Sequence, residues 1–269
     1  QLKDAGYTDI LVAFGLFSST TGLIVDSAFA ETVTPEYIKS LQDAGIKVLL
    51  SVGGAQSSIA TTTVNFHDAY TASKLSNDDY ANSLATNFIN NFVTSPYHFD
   101  GIDIDVEQGL DAVNGDDFSN PTGDVGIMIK FINKLHALDP NLLISLVPQA
   151  ANMSPSRNYI GQWANYSAII NQVNTALSWV CIQLYNSGGM YGIDNKLYDP
   201  NAGDSMIDFS TAMATNLMEP WPSQVDSVLT YFLPFKNTLR PDQVVLGYPS
   251  MDNNNSSDGQ PGANLTRIK

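Results

Sequence analysis

The chain has 269 residues, 43% hydrophobic and only 14% charged, which excludes a disordered segment and suffices for one large folded domain. Twelve Lys and Arg stand against 27 Asp and Glu, a formal net charge of -15. Nucleic acid and anionic membranes both select basic patches, so neither is expected as a partner, and no apolar run reaches transmembrane length.

Gln1 to Gly6 reads as the end of a helix, with Gly6 at its stop. Ile10 to Phe14, ending at Gly15, is a continuous apolar run, as expected of a parallel strand covered on both faces. Thr34-Pro35-Glu36 starts a helix, with Thr34 as cap and Pro35 at the first position, and Gly45 ends it. Lys47 to Gly54 is the next strand. It closes on Ser51-x-Gly53-Gly54, where glycines let backbone approach a ligand closely. Asn77 to Phe92 carries helical spacing at Tyr80, Leu84, Phe88 and Phe92.

The segment Phe99 to Glu107 follows. Side chains alternate along a strand, so Asp103, Asp105 and Glu107 share one face, and Ile102, Ile104 and Val106 share the other. Successive same-face positions lie roughly 6–7 Å apart. Three carboxylates that close cannot all ionise cheaply, so a proton is shared or one pKa is driven up, which suits a general acid. Carboxylates also suit Mg, Ca or Mn, but no His stands nearby and the spacing is not that of a calcium loop, so no metal is expected. Asp100 precedes the alternating run and reads as structural, bonded to Ser51 or to backbone amides.

Gly109 to Gly123 is a polar loop, and Asp124 to Leu138 is an amphipathic helix through Ile127, Phe131 and Leu135. Leu142 to Val147 is another strand, leading to Pro148-Gln149-Ala150. Ile160, Trp163, Tyr166, Ile170 and Val173 keep a helical face. Leu177 to Tyr185 is the next strand, with Gln183 and Tyr185 on one face before Asn186. Cys181, the single cysteine, sits between Val180 and Ile182 and reads as a buried small hydrophobe. Ser187 to Asp204 is a Gly- and Tyr-rich loop. A mixed helical region runs to about Phe235. Val244 to Pro249 is the last strand, and Met251 to Gly262 is an Asn/Ser/Gly loop. Among the tryptophans, Trp163 and Trp179 read as core, and Trp221, between Pro220 and Pro222, as an exposed aromatic. His67, His98 and His136 lack metal-type spacing. Strand and helix alternate throughout, which implies a parallel sheet.

Asp100-x-x-Asp103-x-Asp105-x-Glu107 resembles the signature of glycoside hydrolase family 18, the chitinases and their relatives. Ser51-x-Gly53-Gly54 is similar to the family's second motif. Gln183-Leu184-Tyr185-Asn186 is similar to the Gln-x-Tyr-Asn form of a third, found in small hevamine-like members. The resemblance implies a (β/α)8 TIM barrel with its active site at the C-terminal ends of the strands. The six strands correspond to the family's second through seventh. The first is expected before Gln1 and the eighth after Lys269, so residues 1–269 read as a single catalytic barrel domain within a longer protein.

The resemblance further implies endo-acting hydrolysis of β-1,4-linked N-acetylglucosamine polymers with retention, without a cofactor. Glu107 would protonate the glycosidic oxygen and then serve as base toward water. The substrate's own acetamido oxygen would attack, forming an oxazolinium ion. Asp105 would hold the acetamido N–H, and Asp103 would share a proton with Asp105. Tyr185 would donate to the acetamido oxygen, with Gln183 and Asn186 in support. Gln149, Ser51, Gly53 and Gly54 would line the same cleft. The expected partner is chitin or its oligosaccharides, met by a secreted monomer. Two other readings share the motif: an endo-β-N-acetylglucosaminidase acting on N-glycans, and a lectin-like chitin binder. Retention of Glu107 favours an enzyme, and the Gln-x-Tyr-Asn ending favours chitin.

Overall fold

The computed structural model describes residues 2–55, 62–113, 118–153, 164–185, 187–221 and 235–248. In chain order the strands are β1 (Asp9–Ser18), β2 (Ile24–Val25), β3 (Lys47–Gly53), β4 (Thr63–Val64), β5 (Gly101–Asp105), β6 (Leu143–Leu146), β7 (Trp179–Gln183), β8 (Met190–Tyr191), β9 (Leu197–Tyr198) and β10 (Val244–Gly247). The main helices are α1 (Pro35–Asp43), α2 (Phe66–Ser73), α3 (Asn77–Phe88), α4 (Gly123–Leu138), α5 (Asn165–Val173) and α6 (Met206–Met218). The chain divides into two compact units, which are taken in turn.

The first unit comprises Gln1–Leu110, Gly126–Leu146 and Thr175–Ser178. Its centre is a parallel set in the order β6-β5-β3-β1, with β2 and β4 antiparallel against the end of β1. Val48, Leu49, Leu50 and Val52 of β3 and Ile102 and Ile104 of β5 are all buried. Both faces of these strands are covered, which explains why they read as near-continuous apolar runs. The helices begin where cap chemistry says they should. The Thr34 hydroxyl accepts the Tyr37 amide at 3.3 Å at the start of α1, and the Ser76 hydroxyl accepts the Asp79 amide at 3.2 Å at the start of α3. Tyr80, Leu84, Phe88 and Phe92 form one buried stripe, with Phe92 on a π-helical turn that continues α3. Ile127, Phe131 and Leu135 do the same for α4.

Two local expectations are corrected. Residues 2–6 are turns rather than the end of a helix. Gly15 does not end β1, which continues to Ser18 across an irregular register between Ala13 and Gly15. A Cβ at Gly15 would lie 3.1–3.3 Å from side-chain atoms of Ile24, Leu50 and Val52, so the glycine answers to packing within the strand. The short elements β4 and α2 carry too little periodicity to be read from sequence.

The second unit comprises Asp111–Val125, Val147–Asn174 and Trp179–Lys269. Here β7 and β10 pair in parallel, Val244 beside Val180 through Gly247 beside Gln183. Tyr166, Ile170 and Val173 of α5 are buried, as their spacing predicts; Ile160 and Trp163 lie outside the described residues. The segment read as a Gly- and Tyr-rich loop contains the β8–β9 hairpin. Cys181 is half-buried rather than buried, because the fully covered face of β7 belongs to Val180 and Ile182. Trp221 is corrected from exposed to buried: it stacks on Phe235 with centroids 4.8 Å apart, and its Nε1 donates to the Asn216 carbonyl at 2.7 Å.

Candidate active site

Two groups of sequence-selected residues lie at the C-terminal ends of parallel strands, one in each unit. In the first unit, β5 presents the acids in a graded way. Asp103 is fully buried, Asp105 at the strand end is 8% exposed, and Glu107, two residues beyond, is half-buried. Exposure rises toward the end of the strand, so the last carboxyl is the one nearest solvent.

Strand register puts Asp103 between Ser51 on β3 and Ser145 on β6. The Ser51 hydroxyl donates to Asp103 Oδ2 at 2.7 Å, and the Ser145 hydroxyl donates to Oδ1 at 2.5 Å. All three side chains are buried. Burial pushes the Asp103 carboxyl up to about 6, against the two hydroxyls, which favour its anion. The cause is desolvation rather than the crowding of like charges that the spacing alone suggests.

Gly53 lies beside Asp105 in the register and has φ of +114°. A Cβ there would come within 2.4 Å of the Asp105 carbonyl oxygen. Gly54 donates its amide to that same carbonyl at 2.6 Å, and its Cα faces the Phe14 ring, which an added Cβ would meet at 2.9 Å. Both glycines thus allow close approach of protein to protein at the strand end that carries Asp105. Gln108 ties the far side of the segment, donating to the Ala55 carbonyl at 2.9 Å. Asp100, at the opposite end of β5, does not engage Ser51. It accepts from Lys47 Nζ at 2.8 Å, Gln42 Nε2 at 2.9 Å and the Val48 amide at 3.0 Å.

In the second unit, Gln183 is buried, and its amide donates to the Pro148 carbonyl at 2.9 Å. Its side-chain Nε2 donates to the Val147 carbonyl at 2.9 Å, and Gln149 forms a parallel bridge with it. Tyr185 is half-buried. The Ser187 hydroxyl lies 3.1 Å from the Tyr185 carbonyl and accepts the Ala150 amide at 3.1 Å, fixing the turn that follows. Asn186 lies outside the described residues. Ser145 and Ser187 went unmarked in the sequence reading. The one signal for Ser145 is a hydroxyl interrupting the aliphatic run Leu142 to Val147. Among the described residues no group of three or more His, Cys, Asp or Glu is arranged to hold a metal. No helix among them is long and apolar enough to cross a membrane.

A parallel β/α architecture with a row of carboxylates at a strand end is compatible with a glycoside hydrolase of the (β/α)8 type. Comparison with known proteins makes this specific. Residues 1–267 match the model of Glycosyl hydrolases family 18, and the chain belongs to that family. It is 30% identical to Chitinase D of Niallia circulans over 257 residues, covering 86% of this chain and 44% of that protein. It is also 30% identical to Endochitinase 37 of Trichoderma harzianum over 236 residues, covering 82% of this chain and 64% of that protein. Among solved structures, the Legionella pneumophila ChiA C-terminal domain superposes with a TM-score of 0.86 at 43% identity, covering 99% of this chain and 77% of that one. A family GH18 chitinase from Chromobacterium violaceum gives 0.65 at 25% identity, covering 94% and 60%. The chain thus spans less than half of the Niallia circulans relative and about two thirds of the Trichoderma harzianum one.

Proposed function

We propose that this chain is an endo-acting chitinase that cleaves β-1,4-linked N-acetylglucosamine with retention, using the substrate's own acetamido group as nucleophile. The observation that supports it most directly is the graded row on β5. An acid buried and raised to about 6 lies at Asp103, a second stands at the strand end, and the last reaches toward solvent at Glu107. In this reading Glu107 donates a proton to the glycosidic oxygen and later takes one from water. Asp105 holds the acetamido N–H and offsets the positive charge of the oxazolinium ion. Asp103 stands behind Asp105 and exchanges a proton with it as charge develops. Tyr185, Gln183, Asn186 and Gln149 keep the substrate-side roles that their motif implies. Residues 1–269 act as one catalytic domain, monomeric and outside the cell, where an insoluble polymer is met.

The test is release of soluble oligosaccharide from colloidal chitin by the wild type and by Glu107→Gln. The wild type is expected to release chains of mixed length, and the variant at least about 100-fold less, in keeping with loss of a general acid. Binding without release by the wild type would leave a lectin-like protein. Cleavage of a high-mannose glycoprotein without cleavage of chitin would leave an N-glycan hydrolase. Oligosaccharides carrying glucosamine at the cleaved residue are expected to resist, since they lack the acetamido oxygen.

A further inference from the structure

Ser51, Asp103 and Ser145 occupy one transverse row of three adjacent parallel strands. The rung before it is Leu50, Ile102 and Ile144, all aliphatic, and the one before that is Leu49, Gly101 and Leu143. Ser145 is fully buried, and its strand neighbours Ile144 and Leu146 are fully buried aliphatics. A hydroxyl in that setting costs free energy unless it is bonded. Its partner is the carboxyl across the rung, not the backbone of its own strand. The two serines address different oxygens of Asp103 from opposite sides. One hydrogen bond leaves a carboxyl free to swing about χ2, whereas two from opposed strands fix its plane.

We infer that Ser145 is a positioning residue, which together with Ser51 clamps the Asp103 carboxyl in the row beneath Asp105. The inference rests on the glycosidase reading of this site and extends it to a strand that none of its motifs touches. A clamp of this kind holds both oxygens of Asp103 as acceptors and fixes the plane of its carboxyl. Among the described residues, the titratable groups on the segment of Asp103 and on its two flanking strands are as follows. Its own segment brings Asp105, Glu107 and, upstream, Asp100. On β3 the titratable residue is Lys47, engaged by Asp100, and β6 has none from Leu143 to Leu146. A change at Ser145 therefore reads out on Asp103 with little competition from its flanking strands.

The experiment compares wild type, Ser145→Ala and Ser145→Thr in two ways. The first is kcat and KM on a soluble chitin oligosaccharide from pH 4 to 8. The second is a 13C titration of aspartate carboxyls, with the Asp103 signal assigned by its loss in Asp103→Asn. Ser145→Ala is expected to lower kcat about 10-fold with KM within 2-fold, and to move both the acid limb and the Asp103 titration to higher pH, because a donor to the anion is gone. Ser145→Thr keeps a hydroxyl and is expected to regain most of both. Ser145→Cys, near in shape but a weak donor, gives the same upward shift should the alanine variant fold poorly. An Asp103 midpoint unchanged in Ser145→Ala overturns the clamp. The titration needs no turnover, so it decides the clamp even if the wild type leaves chitin uncut, an outcome that would sink the chitinase reading alone.

Discussion

Asp100 and Asp103 are the same residue type three positions apart on one segment, yet their surroundings pull them in opposite directions. Burial alone would raise Asp100, but Lys47, the Val48 amide and Gln42 together hold its carboxyl below the ordinary range. Among the described residues Asp103 is bonded by two neutral hydroxyls, and burial carries it up to about 6. The end of β5 where the strand begins is built for cohesion, with an acid that is charged, paired and 17% exposed. The end where the strand finishes holds an acid at a cost. A structure tolerates such a cost where the perturbed group serves a reaction.

The largest test of that contrast is Asp103→Asn, and it has two readouts. Activity on chitin is expected to fall by about 10- to 100-fold, with a distorted acidic limb. Stability is expected to move the other way. A carboxyl raised in the folded state makes the fold bind more protons than the unfolded chain between about pH 4 and 6, so wild-type stability falls as pH rises through that window. The raised value corresponds to roughly 2–3 kcal/mol. Asparagine has no proton to lose, and its amide still offers one acceptor and one donor to the two serines. Melting curves at pH 4.5, 6 and 7.5 should show a slope in the wild type and a flatter line in the variant. A wild type without the slope would erase the distinction between the two aspartates.

Much of this was legible in the sequence, and the failures have physical causes. The acid row was readable because strand alternation is local: spacing two apart fixes a common face whatever the rest of the chain does. The inner strands β3 and β5 were readable because burial on both faces leaves unbroken aliphatic runs, whereas β10 reads as apolar though Val245 and Leu246 are exposed. Ser145 was not, because a serine in such a run acquires meaning only once register sets it opposite Asp103, and register between strands about 40 residues apart leaves no local trace. Asp100 was read as structural, bonded to Ser51 or to backbone amides; the Val48 amide bears out the second, and Ser51 belongs to Asp103 instead. Trp221 was misread through its prolines. They mark a loop, but the Phe235 ring that covers it lies 14 positions away.

Breaking the cohesive end should give a smaller effect, of opposite character. Asp100→Ala removes three hydrogen bonds and leaves the Val48 amide, at the entrance to a buried strand, without its side-chain acceptor. A loss of about 1–3 kcal/mol is expected, read as a lower urea midpoint at unchanged slope. Activity per folded molecule should change little. The pH sign also inverts: an acid held low contributes stability above its unfolded value near 4, and that contribution is lost as pH falls through the folded value. Acidification from pH 7 should therefore first relieve Asp103 and only later release Asp100. A drop in kcat as large as that of Asp103→Asn would show that the two ends of β5 are not separable.

The smallest effect should come from Lys47→Met, which isolates the charge in the Asp100 cluster from its hydrogen-bonded frame. Lys47 is 59% exposed, so water and salt screen its 2.8 Å contact with Asp100. Exposed pairs of this kind contribute about 0–1 kcal/mol, and methionine keeps an aliphatic stem of similar length. The variant should lose less than about 1 kcal/mol, and 1 M salt should erase most of the difference from wild type. Asp100 would keep Gln42 and the Val48 amide, so its carboxyl should titrate higher than in the wild type but remain bonded. If Lys47→Met proves as damaging as Asp100→Ala, the ion pair rather than the amide network holds the entrance of β5. The contrast with Asp103 would then rest on charge alone.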